Sequence, residues 1–190
     1  MTSPVLTGGG AADRIDGTSP RLKARVAGAF YMITVVTAPF DYFVARGTHL
    51  GHAAGLVAGA AYVVVTLLLY DLLKPVSKSL SLLAAFFSLE GIAHSDDSLF
   101  FFGFYCILLG YLVFKSTFLP RVFGALMALA GLGLLINTFS DLAPAPVAHV
   151  LSTIGLGMDS GEILFALWLV LMGVNVPKWE ETATRRGPAY

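Results

Sequence analysis

Six apolar runs, separated by charged or polar residues, are the feature that most constrains how this chain can fold. They cover residues 26–44, 51–73, 79–93, 99–114, 122–139 and 147–176. A helix needs about 20 apolar residues to cross the hydrocarbon core of a bilayer, which is about 30 Å thick. Because lipid offers the backbone no hydrogen-bond partners, spanning segments must be helices or closed barrels, and no run shows the alternation of a barrel strand. We therefore predict an all-α, polytopic transmembrane bundle of about six membrane helices.

The composition agrees with a lipid environment. Of the 190 residues, 56% are hydrophobic and only 13% are charged, whereas soluble domains carry about a quarter charged residues. This low charge argues against water-soluble enzymes, nucleic-acid binders and disordered chains. We expect the partners to be the lipid bilayer and other membrane subunits, and we expect no nucleic acid.

The basic residues predict the orientation. If both termini lie on the same side, eleven of the twelve Lys and Arg residues fall there and only Arg46 lies opposite. Basic residues concentrate on the cytoplasmic side of membrane proteins, so we expect both termini in the cytoplasm and a location in the bacterial inner (plasma) membrane. The predicted organisation is a polar tail (1–20), one six-helix membrane domain (21–179) and a short C-terminal tail (180–190).

The third and fourth runs are short for membrane spans, at 15 and 16 residues. They either borrow polar flanking residues or form a re-entrant pair, and in both cases the chain returns to the same side. In the second run, Gly51, Gly55 and Gly59 recur every four residues. Small residues at this spacing let another helix approach closely, which predicts tight packing within the chain or a dimer interface.

Ionisable residues inside a membrane are costly and are the first place to search for function. The charged and histidine residues in or beside the apolar runs gather toward the non-cytoplasmic side of the predicted bundle. We predict an outward-facing polar pocket between helix ends, formed by His52, Glu90, His94, Asp159 and Glu162.

The sixth run contains three glycines and two carboxylates between Gly155 and Glu162. Asp159 followed by Glu162 resembles a helix-capping box, so the helix is predicted to break here and restart at about Ser160. Broken helices line binding sites in membrane proteins because their free backbone groups can hold a ligand. The alternative is a kink whose carboxylates hydrogen-bond to neighbouring helices.

Cofactor and metal signals are weak. His52 paired with His94 or His149 could hold a haem, but histidines at helix ends more often form hydrogen bonds at the interface. We therefore identify no evident cofactor and keep haem, another pigment or a quinone as alternatives. The acidic and histidine residues match no closed metal-ligand set, so no metal is expected, and the single cysteine, Cys106, cannot form an internal disulfide.

Catalytic signatures are absent from the sequence: it has no nucleophile elbow, metalloprotease helix, phosphate-binding loop or dinucleotide fingerprint. The sequence leaves open whether the protein is an enzyme, and the missing signatures argue against it. We expect a structural or accessory subunit of a larger membrane complex, such as a respiratory or photosynthetic one. The alternative is a transporter-like or haem- or quinone-binding protein that uses the polar pocket.

Several stretches resemble a known bacterial family. They are residues 101–112 (FFGFYCILLGYL), Lys115-Ser116, residues 119–124 (LPRVFG), Gly161-Glu162 and residues 173–181 (GVNVPKWEE), with looser matches at residues 27–31 and 69–76. The chain is similar in these stretches to the multi-span membrane family called domain of unknown function 4386. The resemblance implies a six-helix membrane protein and implies no activity. Family members are somewhat longer between the second and fourth helices.

Overall fold

The computed structural model describes residues 18–45, 47–94, 98–140, 143–158 and 160–185. All regular elements in these ranges are helices, which confirms the all-α prediction. They are α1 (Pro20–Phe43), α2 (His49–Leu73), α3 (Lys78–Ala93), α4 (Ser98–Lys115), α5 (Arg121–Ser140), α6 (Ala145–Met158), α7 (Ser160–Leu171) and α8 (Val176–Arg185). Helices α2 to α5 begin and end within about two residues of the predicted runs, inside the usual uncertainty of helix ends.

Side-chain caps explain where the first helices begin. The Ser19 hydroxyl accepts a hydrogen bond from the Leu22 amide at 3.2 Å, and Pro20 occupies the first helical position. Thr48 and Ser77 cap α2 and α3 in the same way. These caps satisfy amide groups that the helix itself leaves unpaired. As a result α1 starts six residues before the apolar run that predicted it.

The lengths and compositions of the described helices identify a membrane-spanning protein. Three helices are long and apolar enough to cross a bilayer alone: α2, α4 and α5. A fourth span results if α7 and α8 are taken together, although they meet at an angle of 101°. The helices α1, α3 and α6 are not among these candidate spans, and they have 24, 16 and 14 residues, respectively. The predicted number of six spans therefore stays a prediction.

The helices pack mainly against their neighbours in sequence. Helix α1 packs against α2, α2 against α3, α3 against α4, α4 against α5, and α5 against α6. Helix α7 then packs against α1 and α5, which closes the bundle. Large apolar side chains remain exposed on α1 to α7, including Phe86 and Leu171 at 62% and 65%. Such a surface suits contact with lipid chains.

One end of the bundle is rich in lysine and arginine, and we call it the basic end. Asp71 binds Lys23 of α1 at 2.5 Å and also forms an ion pair with Lys74. The Trp179 indole of α8 donates a hydrogen bond to the Leu72 carbonyl at 2.9 Å. These contacts join the start of α1, the end of α2 and the helix α8. The sequence analysis did not predict α8.

The closest helix contacts lie between α4 and α5, where glycines face each other. A Cβ atom added at Gly110 would lie 2.6 Å from the Gly124 carbonyl oxygen, and one at Gly131 would lie 2.5 Å from the Gly103 carbonyl oxygen. The two glycines on each helix are seven residues apart, which is about two helical turns. The antiparallel backbones therefore touch at two points where no side chain fits.

The glycines predicted to pack on α2 show looser contacts. Gly51 is buried and Gly55 is partly buried. A Cβ atom at Gly59 would lie 3.6 Å from Ile92 Cγ2 of α3, which is ordinary van der Waals contact. This face of α2 therefore packs against α3 within the chain at the Gly59 position.

The sixth apolar run is divided where the sequence predicted a break. Helix α6 ends at Met158 and α7 begins at Ser160, while Asp159 lies outside the described residues. A Cβ atom at Gly161 would lie 2.6 Å from the Leu126 carbonyl oxygen, so the first turn of α7 touches the backbone of α5. This contact fixes the position of the following residue, Glu162.

Replacement of Gly110 by Ala should destabilise the bundle, because the new Cβ has to push two backbones apart. We expect a loss of about 1–3 kcal/mol in the free energy of unfolding. Gly59→Ala is the matched control, since its Cβ meets only a side chain at normal distance and alanine favours helix. Unfolding in detergent, followed by circular dichroism, measures both variants. Equal stability of the two variants would contradict the role of the α4–α5 contact.

Candidate functional site

A carboxylate and a thiol meet in the middle of the bundle. Glu162 lies in the first turn of α7, and the Cys106 thiol of α4 donates a hydrogen bond to Glu162 Oε1 at 2.7 Å. Cys106 is fully buried, whereas Glu162 is partly buried. The carboxylate is thus held by α4 in the interior of the bundle.

Three tyrosines from three helices surround this pair. The hydroxyl groups of Tyr31 and Tyr62 are 3.4 Å apart, and the Tyr62 ring centroid lies 6.0 Å from that of Tyr105. All three side chains lie close enough to Glu162 to interact with its charge. We call Tyr31, Tyr62, Tyr105, Cys106 and Glu162 the Glu162 cluster.

The members of the Glu162 cluster lie at one depth in the bundle. Each is nine to eleven residues from the end of its helix that faces the basic end. At 1.5 Å per residue this places them about 14 to 17 Å from that end. This distance is about half the thickness of a bilayer core, which is about 30 Å.

Glu162 has no basic partner among the ion pairs of the described residues, which join Asp71, Glu90 and Glu181 to their neighbours. An unbalanced charge at this depth is costly. The start of α7 offsets part of the cost, because the positive end of a helix dipole favours a carboxylate in its first turn. The hydrogen bond from Cys106 offsets a further part of the cost.

The structure brings together two other residues of the predicted pocket, at a different place. Glu90 and His94 lie at the end of α3 away from the basic end, with 3.1 Å between Glu90 Oε1 and His94 Nδ1. Their side chains are 49% and 56% exposed, respectively. The two residues are four positions apart in sequence, which is about one helical turn, and no described contact joins them to the Glu162 cluster.

The remaining predicted residues are not joined to these groups. His52 lies exposed in the first turn of α2, and His49 and His149 are also exposed. Asp159 lies outside the described residues. Across the described ranges, no three His, Cys, Asp or Glu side chains are grouped as metal ligands would be. The outward-facing pocket therefore stays a prediction, and of its five residues only Glu162 lies in the Glu162 cluster.

Sequence reasoning missed four of the five members of the Glu162 cluster. Cys106 was considered only for disulfides, and the three tyrosines were not considered as site residues. The runs gave no signal of a common depth, because the members of the Glu162 cluster lie between 5 and 14 residues from the basic ends of their runs. Helix packing then decides which of these positions face each other, and that information is not in any one run.

A separate cleft of about 370 Å³ opens at the basic end. It lies between the start of α1, the α4–α5 loop and the α7–α8 turn, and Arg21, Trp168, Asn175 and Lys178 are among its lining residues. It shares no residue with the Glu162 cluster. The size of a cleft therefore does not identify the candidate site, because the interacting titratable side chains lie in the closely packed centre of the bundle.

Comparisons with known proteins agree with the resemblance seen in the sequence. The family model described as Domain of unknown function (DUF4386) matches residues 97–173, which include Cys106 and Glu162. An uncharacterized protein of Archaeoglobus fulgidus is 34% identical over 128 residues, which cover 76% of that protein and 58% of this chain. No solved structure matches this chain. The chain belongs to the family described as domain of unknown function 4386.

Proposed function

We propose that the chain crosses the inner membrane six times, with both termini in the cytoplasm and α6 and α7 together forming the sixth span. Contacts at the basic end support this topology. Arg25 of α1 donates to the Leu171 carbonyl at 3.3 Å, and the Asn175 amide donates to the Phe118 carbonyl at 3.1 Å. Together with Asp71 and its lysine partners, these bonds bring five helix ends and most of the basic residues to one side.

Labelling of introduced cysteines tests the topology. His49→Cys lies at the start of α2 and Lys178→Cys lies on α8; both positions are exposed. In intact cells a membrane-impermeant maleimide should label His49→Cys and not Lys178→Cys, and lysis should expose the second site. The unaltered chain is the control, because its only cysteine, Cys106, is fully buried. Labelling of both positions in intact cells would contradict the topology.

For the function, we propose a transporter-like membrane protein that takes up a proton or a small cationic ligand at Glu162. The observation that carries this proposal is the hydrogen bond of 2.7 Å between Cys106 and Glu162 at the centre of the bundle. A carboxylate at this depth, with no basic partner among the described ion pairs, favours a proton or cation as its counter-charge.

The surroundings of Glu162 favour a very small ligand. Tyr31 and Cys106 are completely buried and Tyr105 is 2% exposed, so the cluster is closely packed. Thiol and phenol groups can each donate a hydrogen bond and accept one. A proton can therefore be held and passed on within the cluster, whereas a larger ligand would require helices to separate.

The helix break supports the same proposal. Because α7 begins in the interior, its first amide groups and the positive end of its dipole lie at the depth of Glu162. Interrupted helices serve in this way at the binding sites of secondary transporters. No described contact joins the outer pair, Glu90 and His94, to the Glu162 cluster.

Glu162→Gln should remove a protonation signal from the interior of the protein. We expect infrared difference spectra, recorded after a change of buffer from H2O to D2O, to contain a carboxyl band that Glu162→Gln lacks. Glu180→Gln, an exposed position on α8, is the matched control and should keep the band. The proposal fails if both variants retain the wild-type band.

An accessory role in a larger complex remains the alternative. The exposed apolar side chains of α1 to α7 suit another subunit as well as lipid. Haem binding by His52 with His94 or His149 also stays a prediction, because no described contact joins these side chains. Native purification distinguishes the cases: stoichiometric partner subunits would favour the accessory role, and a bound pigment would favour haem.

A further inference from the structure

A narrow internal gap lies between α2, α3 and α4. Its volume is about 10 Å³, close to the minimum that holds one water molecule. Thr66 and Leu69 of α2, Ser81 of α3, and Tyr105 and Leu112 of α4 are among the residues that line it. The gap therefore lies where these three helices come together.

Two hydroxyl groups on this gap have no hydrogen-bond partner among the described residues. They are Ser81 Oγ and Tyr105 Oη, and both residues are only 2% exposed. Buried polar groups in folded proteins nearly always have a partner, which is often an internal water. An unpartnered Ser81 hydroxyl on a gap of this size points to a water molecule as its ligand, and Tyr105 lies at the other end of the gap.

A third hydroxyl on the gap is already satisfied. Thr66 Oγ1 lies 2.6 Å from Ser88 Oγ and donates to the Tyr62 carbonyl at 2.8 Å. The need for water is thus confined to Ser81 and Tyr105. Ser88, on the same helix as Ser81 and also buried, becomes a natural control.

The gap connects two depths of the bundle. Tyr105 belongs to the Glu162 cluster and lies ten residues, or about 15 Å, from the end of α4 at the basic end. Ser81 lies three residues, or about 5 Å, from the start of α3 at the same end. The lining residues therefore lead from the Glu162 cluster toward the basic end.

We propose that this gap holds water and is the route by which Glu162 exchanges its proton with the solution at the basic end. The inference rests on the proposed function and adds the side of access. In the outward direction, the proton leaves the Glu162 carboxyl, and each tyrosine hydroxyl along the way accepts one proton and releases another. Water near Ser81 then takes up the released proton and passes it to the solution at the basic end, so that within the protein only the Glu162 carboxylate is left charged. Reprotonation reverses these steps.

Proton exchange of the Glu162 carboxyl tests the route. Protein oriented in sealed vesicles receives a pH jump on one side, and the change of the infrared carboxyl band is followed in time. We expect Ser81→Ala and Tyr105→Phe to slow exchange from the basic end about tenfold, which corresponds to the loss of one ordinary hydrogen bond. Ser88→Ala should exchange at the wild-type rate.

The outcomes separate this route from the proposed function. If Glu162→Gln removes the band but Ser81→Ala exchanges like the wild type, the gap is not the route and the proton-binding site stands. Faster exchange from the opposite side would also overturn the route. If Glu162→Gln leaves the band in place, both the route and the proposed function fail.

Stability of Ser81→Ala gives a second test that needs no exchange signal. A dry, unpartnered hydroxyl destabilises the fold, so its removal would raise the unfolding temperature. A hydroxyl bound to an internal water contributes to stability, so its removal should lower that temperature. A decrease in Ser81→Ala supports the water site, and an unchanged or increased unfolding temperature contradicts it.

Discussion

Close contact between helix backbones is the constraint on which the rest of the bundle depends. In lipid, apolar side chains gain little from meeting each other, so helices associate through tight packing and hydrogen bonds. Facing glycines bring α4 and α5 into direct contact, Gly28 does the same between α1 and α7, and Gly161 seats α7 on α5. These contacts together set the distance between Cys106 on α4 and Glu162 on α7.

The Glu162 cluster follows from this packing. Four helices contribute its members, and α4 contributes two of them, Tyr105 and Cys106. Tight packing also explains why the site contains no large cavity: the backbone approach that positions the carboxylate leaves space only for small groups. The same packing leaves a narrow gap where the larger Tyr105 meets α2 and α3.

Much of the helical framework could be predicted from the sequence, because apolar runs between charges define helices in lipid. The interruption near Ser160 was also predicted, since it depends on neighbouring residues, whereas the caps at Ser19, Thr48 and Ser77 were not predicted. The partners of Glu162 were not, because Tyr31 and Cys106 meet it only through long-range packing. Helix α8 was missed because residues 176–185 are polar and begin with a proline-containing segment. Glycine spacing on α2 was visible, but the seven-residue spacing on α4 and α5 determines the closest contact.

The interruption between α6 and α7 has a mechanical consequence. Helix α6 rests on α5, where Gly155 meets the Gly133 carbonyl oxygen, whereas α7 is held by both α1 and α5. The two halves share little contact with each other. Bilayers differ in thickness by several Å, and helices adapt by tilting or bending. Here α6 can tilt to match a thinner or thicker bilayer while α7 keeps its place. The Glu162 carboxylate therefore stays at the same depth when the lipid composition changes.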